Sequence, residues 1–159
     1  ISLAGRFLER AVANGSDAEA REGMALAAMY GGLAFSNVGV ALVHALEYAV
    51  ASFVHVSHGA GNGLLLPHVM RFNRPGREKE MGEIGTLLGL GVNGADQSID
   101  AVAGLSRRIG IPQRLKDLGV TENMLPAMAE KTLAMTRILR VNPRQPTHDD
   151  LMTILRAAY

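Results

Sequence analysis

Four of the chain's five histidines fall between Gly31 and Asn73, and the absence of any cysteine excludes thiolate metal sites and disulfides. His44 and His58 are the pair whose chemistry deserves testing. They stand fourteen residues apart, which in one unbroken helix is a rise of about 21 Å, too far for both rings to reach one ion. The intervening sequence does not read as unbroken. Ala51-Ser52 and Ser57 lead into His58-Gly59-Ala60-Gly61-Asn62-Gly63, where glycine permits a sharp turn and a new helix start. A helix, a reversal and a second helix can bring both imidazoles to one point. The residues alone also admit two satisfied core or helix-end histidines. If His58 opens a helix, the free amides and the positive end of the dipole disfavour its protonated form, and neutral imidazole is the form that binds metal. Neutral imidazole suits several divalent transition metals, and the pair alone does not choose among them. Tyr48, one helical turn after His44, shares its face.

The elements that must position these groups all read as helical. Ile1 to Ala13 carries Leu3, Phe7 and Leu8 on one face and Asn14-Gly15 ends it. Ser16-Asp17-Ala18-Glu19 has capping-box spacing, with the Ser16 hydroxyl and Glu19 serving a helix that runs to about Phe35. Its small residues Ala25, Ala27, Ala28, Gly31 and Gly32 predict close contact with a neighbour. Ser36-Asn37 marks a junction before a helix from Val38 to about Val50, and His58 opens the next, with His68 past Pro67 read as structural. Arg74 to Glu80 is a turn and a solvated face, Met81 to Leu88 a core stripe ended by Gly89, and Ala95 to about Ile109 a helix stopped by Gly110-Ile111-Pro112. A short turn over 114–120 precedes a helix that Thr121 or Asn123 caps and Pro126 enters in its first turn. Val141 to Pro146 breaks the chain again, Thr147 with Asp150 caps the last helix to Ala158, and His148 is exposed. With no strand alternation and no repeat, the expected fold class is all-α, a bundle of seven to nine helices.

The ordered series Ala34-Phe35-Ser36-Asn37, His44, His58-Gly59, Asn62, Leu66-Pro67 and Phe72-Asn73 resembles the iron-dependent alcohol dehydrogenase family, as does Asn142-Pro143-Arg144 before the Thr147-capped helix. The resemblance covers the helical C-terminal domain of that family, a dehydroquinate synthase-like fold, and implies that residues 1–159 form one such domain of a longer two-domain enzyme. By the same resemblance His44 and His58 are two ligands of a catalytic Fe2+ or Zn2+. The family's other ligand pair, Asp-x-x-x-His, occurs nowhere in the sequence, and NAD or NADP is bound mainly by an N-terminal domain outside it. Tyr48 replaces a histidine common in the family and is a candidate proton relay or a pocket wall; a phenol with a reference pKa near ~10 is the poorer base at neutral pH. Ser57 stands where a proline often precedes the second ligand. His55 is a candidate for cofactor binding, with solvent exposure or a core hydrogen bond as its plain alternative. Phe35 is a candidate for the substrate pocket or an ordinary core aromatic.

The implied activity interconverts small alcohols and aldehydes, the isolated chain being inactive without the nucleotide domain. Two other readings stand beside it: a transhydrogenase of the same superfamily, and a non-enzymatic helical metal-binding or assembly module. Sixteen basic against fifteen acidic residues give a net charge of +1, no electrostatic case for nucleic acid or a membrane surface. No apolar run reaches the ~20 residues of a membrane span, so a soluble, cytoplasmic enzyme is expected, and family precedent implies a homodimer or larger homo-oligomer.

Overall fold

The computed structural model describes all residues from Ile1 to Tyr159 and contains nine α-helices, two short 3-10 turns and no strand. The chain divides into two compact units, residues 1–38 with 74–110, and residues 39–73 with 111–159.

The first unit pairs α1 (Ser2–Ala13) with α2 (Ala18–Val38), and α5 (Glu78–Leu87) with α6 (Ala95–Arg108). Phe7 is buried between the first pair, beneath the guanidinium groups of Arg6 and Arg10 at 4.7 and 5.5 Å from its ring centroid. The start of α2 differs from the expected capping box. Asp17, not Ser16, accepts the Ala20 amide at 3.0 Å, and Arg10 of α1 holds both acids of this turn, Asp17 at 2.9 Å and Glu19 at 2.8 Å. The expected break at Ser36-Asn37 is also absent. Ser36 Oγ and Asn37 Nδ2 each donate back to carbonyls four residues earlier, both at 2.7 Å, so their polar groups are satisfied without leaving the helix. The helix stops at Gly39, whose φ of 82° is in the left-handed region. Gly31 and Gly32 meet nothing within 4 Å. At about 1.5 Å per residue the 21-residue α2 outruns its 12-residue partner α1, and its second half leaves Met29, Tyr30, Leu33, Phe35 and Val38 exposed.

The second unit holds α3 (Leu42–Ala51), α4 (His58–Asn73), α7 (Leu125–Ala134), α8 (Thr136–Leu139) and α9 (His148–Ala158), with the 3-10 turns Leu115–Leu118 and Glu122–Met124. Helix α3 packs on α4, α7 and α8, and α9 closes the core against α7 and α4. Leu42, Leu46, Leu65, Leu125, Met128, Leu151 and Leu155 are fully buried there, each burial contributing about 1.5–3 kcal/mol. Pro67 lies inside α4, which nonetheless continues to Asn73.

Asn73 and Asn142, both in the recognised motifs, form a buried reciprocal amide pair: Asn142 Nδ2 donates to Asn73 Oδ1 at 2.8 Å and Asn73 Nδ2 to Asn142 Oδ1 at 3.1 Å. The same Asn142 oxygen also accepts the Leu42 amide at 3.4 Å, serving one of the donors left open at the start of α3. Arg144 lies over the Phe72 ring at 4.2 Å and reaches Asp150 at 3.2 Å. Thr147 and Asp150 cap α9 reciprocally as the sequence predicts. These motif residues brace the helix that carries His44.

Candidate metal centre

The centre forms where α3 and the N-terminus of α4 face each other. Helix α3 is apolar on most sides, burying Leu42, Ala45, Leu46, Ala49 and Val50, and its remaining face carries His44 and Tyr48. The chain reverses after Ala51, and α4 begins at His58 itself. The two imidazole centroids lie 5.3 Å apart, tilted by 52°. Tyr48 completes a ring triad: it lies nearly parallel to His58, at 16° and 5.7 Å, and edge-on to His44 at 6.2 Å.

A residue outside the sequence expectation organises the triad. Glu47 is 2% exposed, and its Oε2 lies 2.7 Å from His58 Nδ1. A carboxyl group buried this deeply needs a hydrogen-bonded partner, and His58 supplies one. Gly61 makes room for it: a Cβ there would stand 2.8 Å from Glu47 Cγ and 3.4 Å from Val56 Cγ1. The signal in the sequence was a single acid in the otherwise apolar segment LVHALEYAVA, three residues after His44. Its burial depends on the arrival of α4. Asn62, one turn into α4, donates its amide to the His58 carbonyl at 3.0 Å. Its Oδ1 is buried without a partner, an acceptor left beside the ring triad.

The donor set fits a divalent metal. A ring centroid sits about 3.2 Å from an ion bound by one of its nitrogens at ~2.0–2.1 Å, so two imidazoles on one tetrahedral ion have centroids roughly 5.2 Å apart. The observed separation of 5.3 Å matches. Burial holds the His44 imidazole below its ordinary pKa of 6.5, and nearby His58 pushes the same way while Glu47 opposes. The neutral ligating form of His44 is thereby favoured. No third His, Cys, Asp or Glu of this chain joins them in a group able to hold an ion by itself.

The other candidates fall elsewhere. His55 is exposed in the connection ahead of α4. His68 is half-buried within α4, its pKa lowered by burial and then by Arg71, and His148 is exposed at the start of α9. Phe35 belongs to the first unit and is 53% exposed on α2. Tyr48, at 41% exposure, packs its ring on His58.

Comparison with known proteins gives the chain a family. A family model described as "Fe-containing alcohol dehydrogenase family, C-terminal" matches residues 1–159. The 1,3-propanediol dehydrogenase of Klebsiella pneumoniae is 38% identical over 165 aligned residues, taking in 100% of this chain and 42% of that protein. The crystal structure of a 1,3-propanediol oxidoreductase superposes with a TM-score of 0.93 at 38% identity, covering 99% of this chain and 43% of the other. The sulfoacetaldehyde reductase of Bifidobacterium kashiwanohense, solved in complex with NAD+, gives 0.84 at 31% identity, covering 99% and 41%. The chain thus spans about two-fifths of the length of these relatives. Family model, sequence relatives and all-helical fold agree: the chain belongs to the Fe-containing alcohol dehydrogenase family and corresponds to its C-terminal part.

Proposed function

We propose that this chain supplies two ligands, His44 and His58, to the catalytic metal of an NAD(P)-linked dehydrogenase that interconverts small alcohols and aldehydes. The observation that carries the reading is the 5.3 Å approach of two imidazoles fourteen residues apart in sequence. The metal would be Fe2+ or Zn2+. Its remaining ligands, an Asp-x-x-x-His pair, and the nucleotide site would come from a further part of the parent enzyme, of which residues 1–159 form a C-terminal helical domain. The relatives' names support a small alcohol or aldehyde as substrate, and the NAD+ complex of one relative supports a nicotinamide cofactor. A homodimeric or larger assembly in the cytoplasm follows from family precedent. No single helix is long and apolar enough to cross a membrane.

A bound divalent ion would act as a Lewis acid on the alcohol oxygen and lower its pKa. The chain's own contribution is to hold and orient. His44 and His58 each give one neutral ring nitrogen, and the helices behind them are fixed by the core of the second unit. Tyr48 walls the site on the side of His58, and its phenol is a candidate proton relay, a poorer base than the imidazole it replaces. His55 stays a candidate for cofactor contact and Phe35 a candidate for the substrate pocket, both on the strength of the family pattern alone. Hydride transfer needs the reacting carbon within near-attack distance of the cofactor, so the 159 residues alone are expected to be inactive.

Metal content of the purified chain beside His44→Ala and His58→Ala tests the ligand assignment: both variants should lose bound iron or zinc. Equal content in all three would remove the proposed ligands. Robust NADH production by the chain itself, from short alcohols with added metal, would refute the claim that it lacks the hydride acceptor's site.

A further inference from the structure

Resting on the metal reading above, we infer that Glu47 is a positioning residue that fixes the tautomer of His58, committing Nδ1 to a buried hydrogen bond and leaving Nε2 free to ligate. A neutral imidazole has one N–H and one lone pair, and the partner of one nitrogen decides which nitrogen can bind a metal. His58 sits at the first position of α4 with its side chain 55% exposed, so backbone packing alone leaves its ring free to turn. Two contacts, and the space beside Gly61 that one of them needs, remove that freedom. Glu47, 2% exposed, accepts from Nδ1–H across 2.7 Å. The Tyr48 ring lies nearly parallel to the imidazole plane, opposing rotation about the ring's long axis. Gly61, three residues into α4, leaves the space that Glu47 Cγ occupies, where any Cβ would come within 2.8 Å.

The arrangement runs in one direction. Glu47 and His44 are three residues apart on α3, so the element that presents one imidazole also carries the group that orients the other. With Nδ1–H turned onto Glu47, the Nε2 lone pair points away from the buried carboxyl group; the Asn62 amide nitrogen stands 3.3 Å from both ring nitrogens, equidistant from them and so off the Nε2 lone-pair axis. Removing the carboxylate frees His58 to take the alternative tautomer, in which Nε2 carries the hydrogen and cannot ligate.

The test reads the tautomer directly, without metal or turnover. The chain labelled with 15N-histidine is examined by long-range 1H–15N correlation at a pH where His58 is neutral, as wild type, Glu47→Gln and Glu47→Met. The wild-type ring should carry its hydrogen on Nδ1, Glu47→Gln should retain that form through its carbonyl oxygen, and Glu47→Met should shift the population to Nε2–H. Cobalt titration of the same proteins should show Glu47→Met weakening the metal by about 10–100-fold. A wild-type His58 protonated on Nε2 overturns the inference by itself, whether or not Glu47→Met folds, and so does an unchanged tautomer in a folded Glu47→Met. Titrations of His44→Ala and His58→Ala separate the two ideas. If neither weakens cobalt binding the metal reading fails, whereas a loss in both with no change in Glu47→Met sinks the role of Glu47 alone.

Discussion

Gly59 and Gly61 occupy the first turn of α4 two residues apart, yet alanine should act on them in opposite directions. At Gly59 nothing lies within 4 Å of a would-be Cβ, so Gly59→Ala should gain roughly the helix-propensity difference, up to about 1 kcal/mol. At Gly61 the same methyl would sit 2.8 Å from Glu47 Cγ, 3.4 Å from Glu47 Oε1 and 3.4 Å from Val56 Cγ1. Ordinary carbon contacts are about 3.5–4.0 Å, so Glu47 must retreat by about 1 Å. That displacement stretches its 2.7 Å contact with His58 Nδ1 past hydrogen-bonding range. Overpacking costs about 1–3 kcal/mol and a buried carboxyl group left without its partner about 1–3 kcal/mol, against a propensity gain of about 1 kcal/mol. The net expectation for Gly61→Ala is a loss of about 1–5 kcal/mol. Urea denaturation monitored by circular dichroism reads both variants, which should differ in midpoint with little change in slope. Stabilities for Gly61→Ala and Gly59→Ala within a few tenths of a kcal/mol of each other would refute the reasoning, because the packing of Glu47 over Gly61 would then be absent in solution.

Asn142→Leu should destabilise the chain by about 2–6 kcal/mol in the same assay, because it strands the buried Asn73 amide and the Leu42 N–H, each worth about 1–3 kcal/mol when left unpaired. Thr147→Ala removes one half of the cap of α9 and should cost about 1 kcal/mol, visible as a fall in Tm of about 2–4 °C. His68 gives a pH signature. Its folded pKa lies below the ordinary 6.5 through burial and then Arg71, so the unfolded chain takes up the proton first. Stability from this group is full above 6.5 and is lost as pH falls through the lowered folded value. His68→Gln should flatten that part of the stability–pH profile; an unchanged slope would mean that another group sets it.

The order of helices was legible because each is written locally. The amphipathic run before Asn14-Gly15, the Thr147–Asp150 cap and the glycine-rich start at His58 each rest on side chains reaching only a few residues along the backbone, and each element forms where the sequence places it. The local signals that misled were those with two local solutions. Ser36 and Asn37 could end a helix or bond back into it, and they bond back. Ser16 was the expected cap of α2, but Asp17 takes the Ala20 amide instead, with Arg10 of α1 paired to both Asp17 and Glu19. The small stripe of α2 promised a close neighbour, which helix length withheld from Gly31 and Gly32.

By itself the sequence determined that two histidines stand on either side of a glycine-rich break, with a tyrosine one turn from the first. That information is carried by residue type and the helical period. Only the tertiary structure decided that the imidazoles approach to 5.3 Å and that Glu47 is the buried acid holding one of them. An acid in an apolar helix has no assigned partner until another helix arrives beside it. The cost of burying its polar group then depends on a contact eleven residues away in sequence and 2.7 Å away in space.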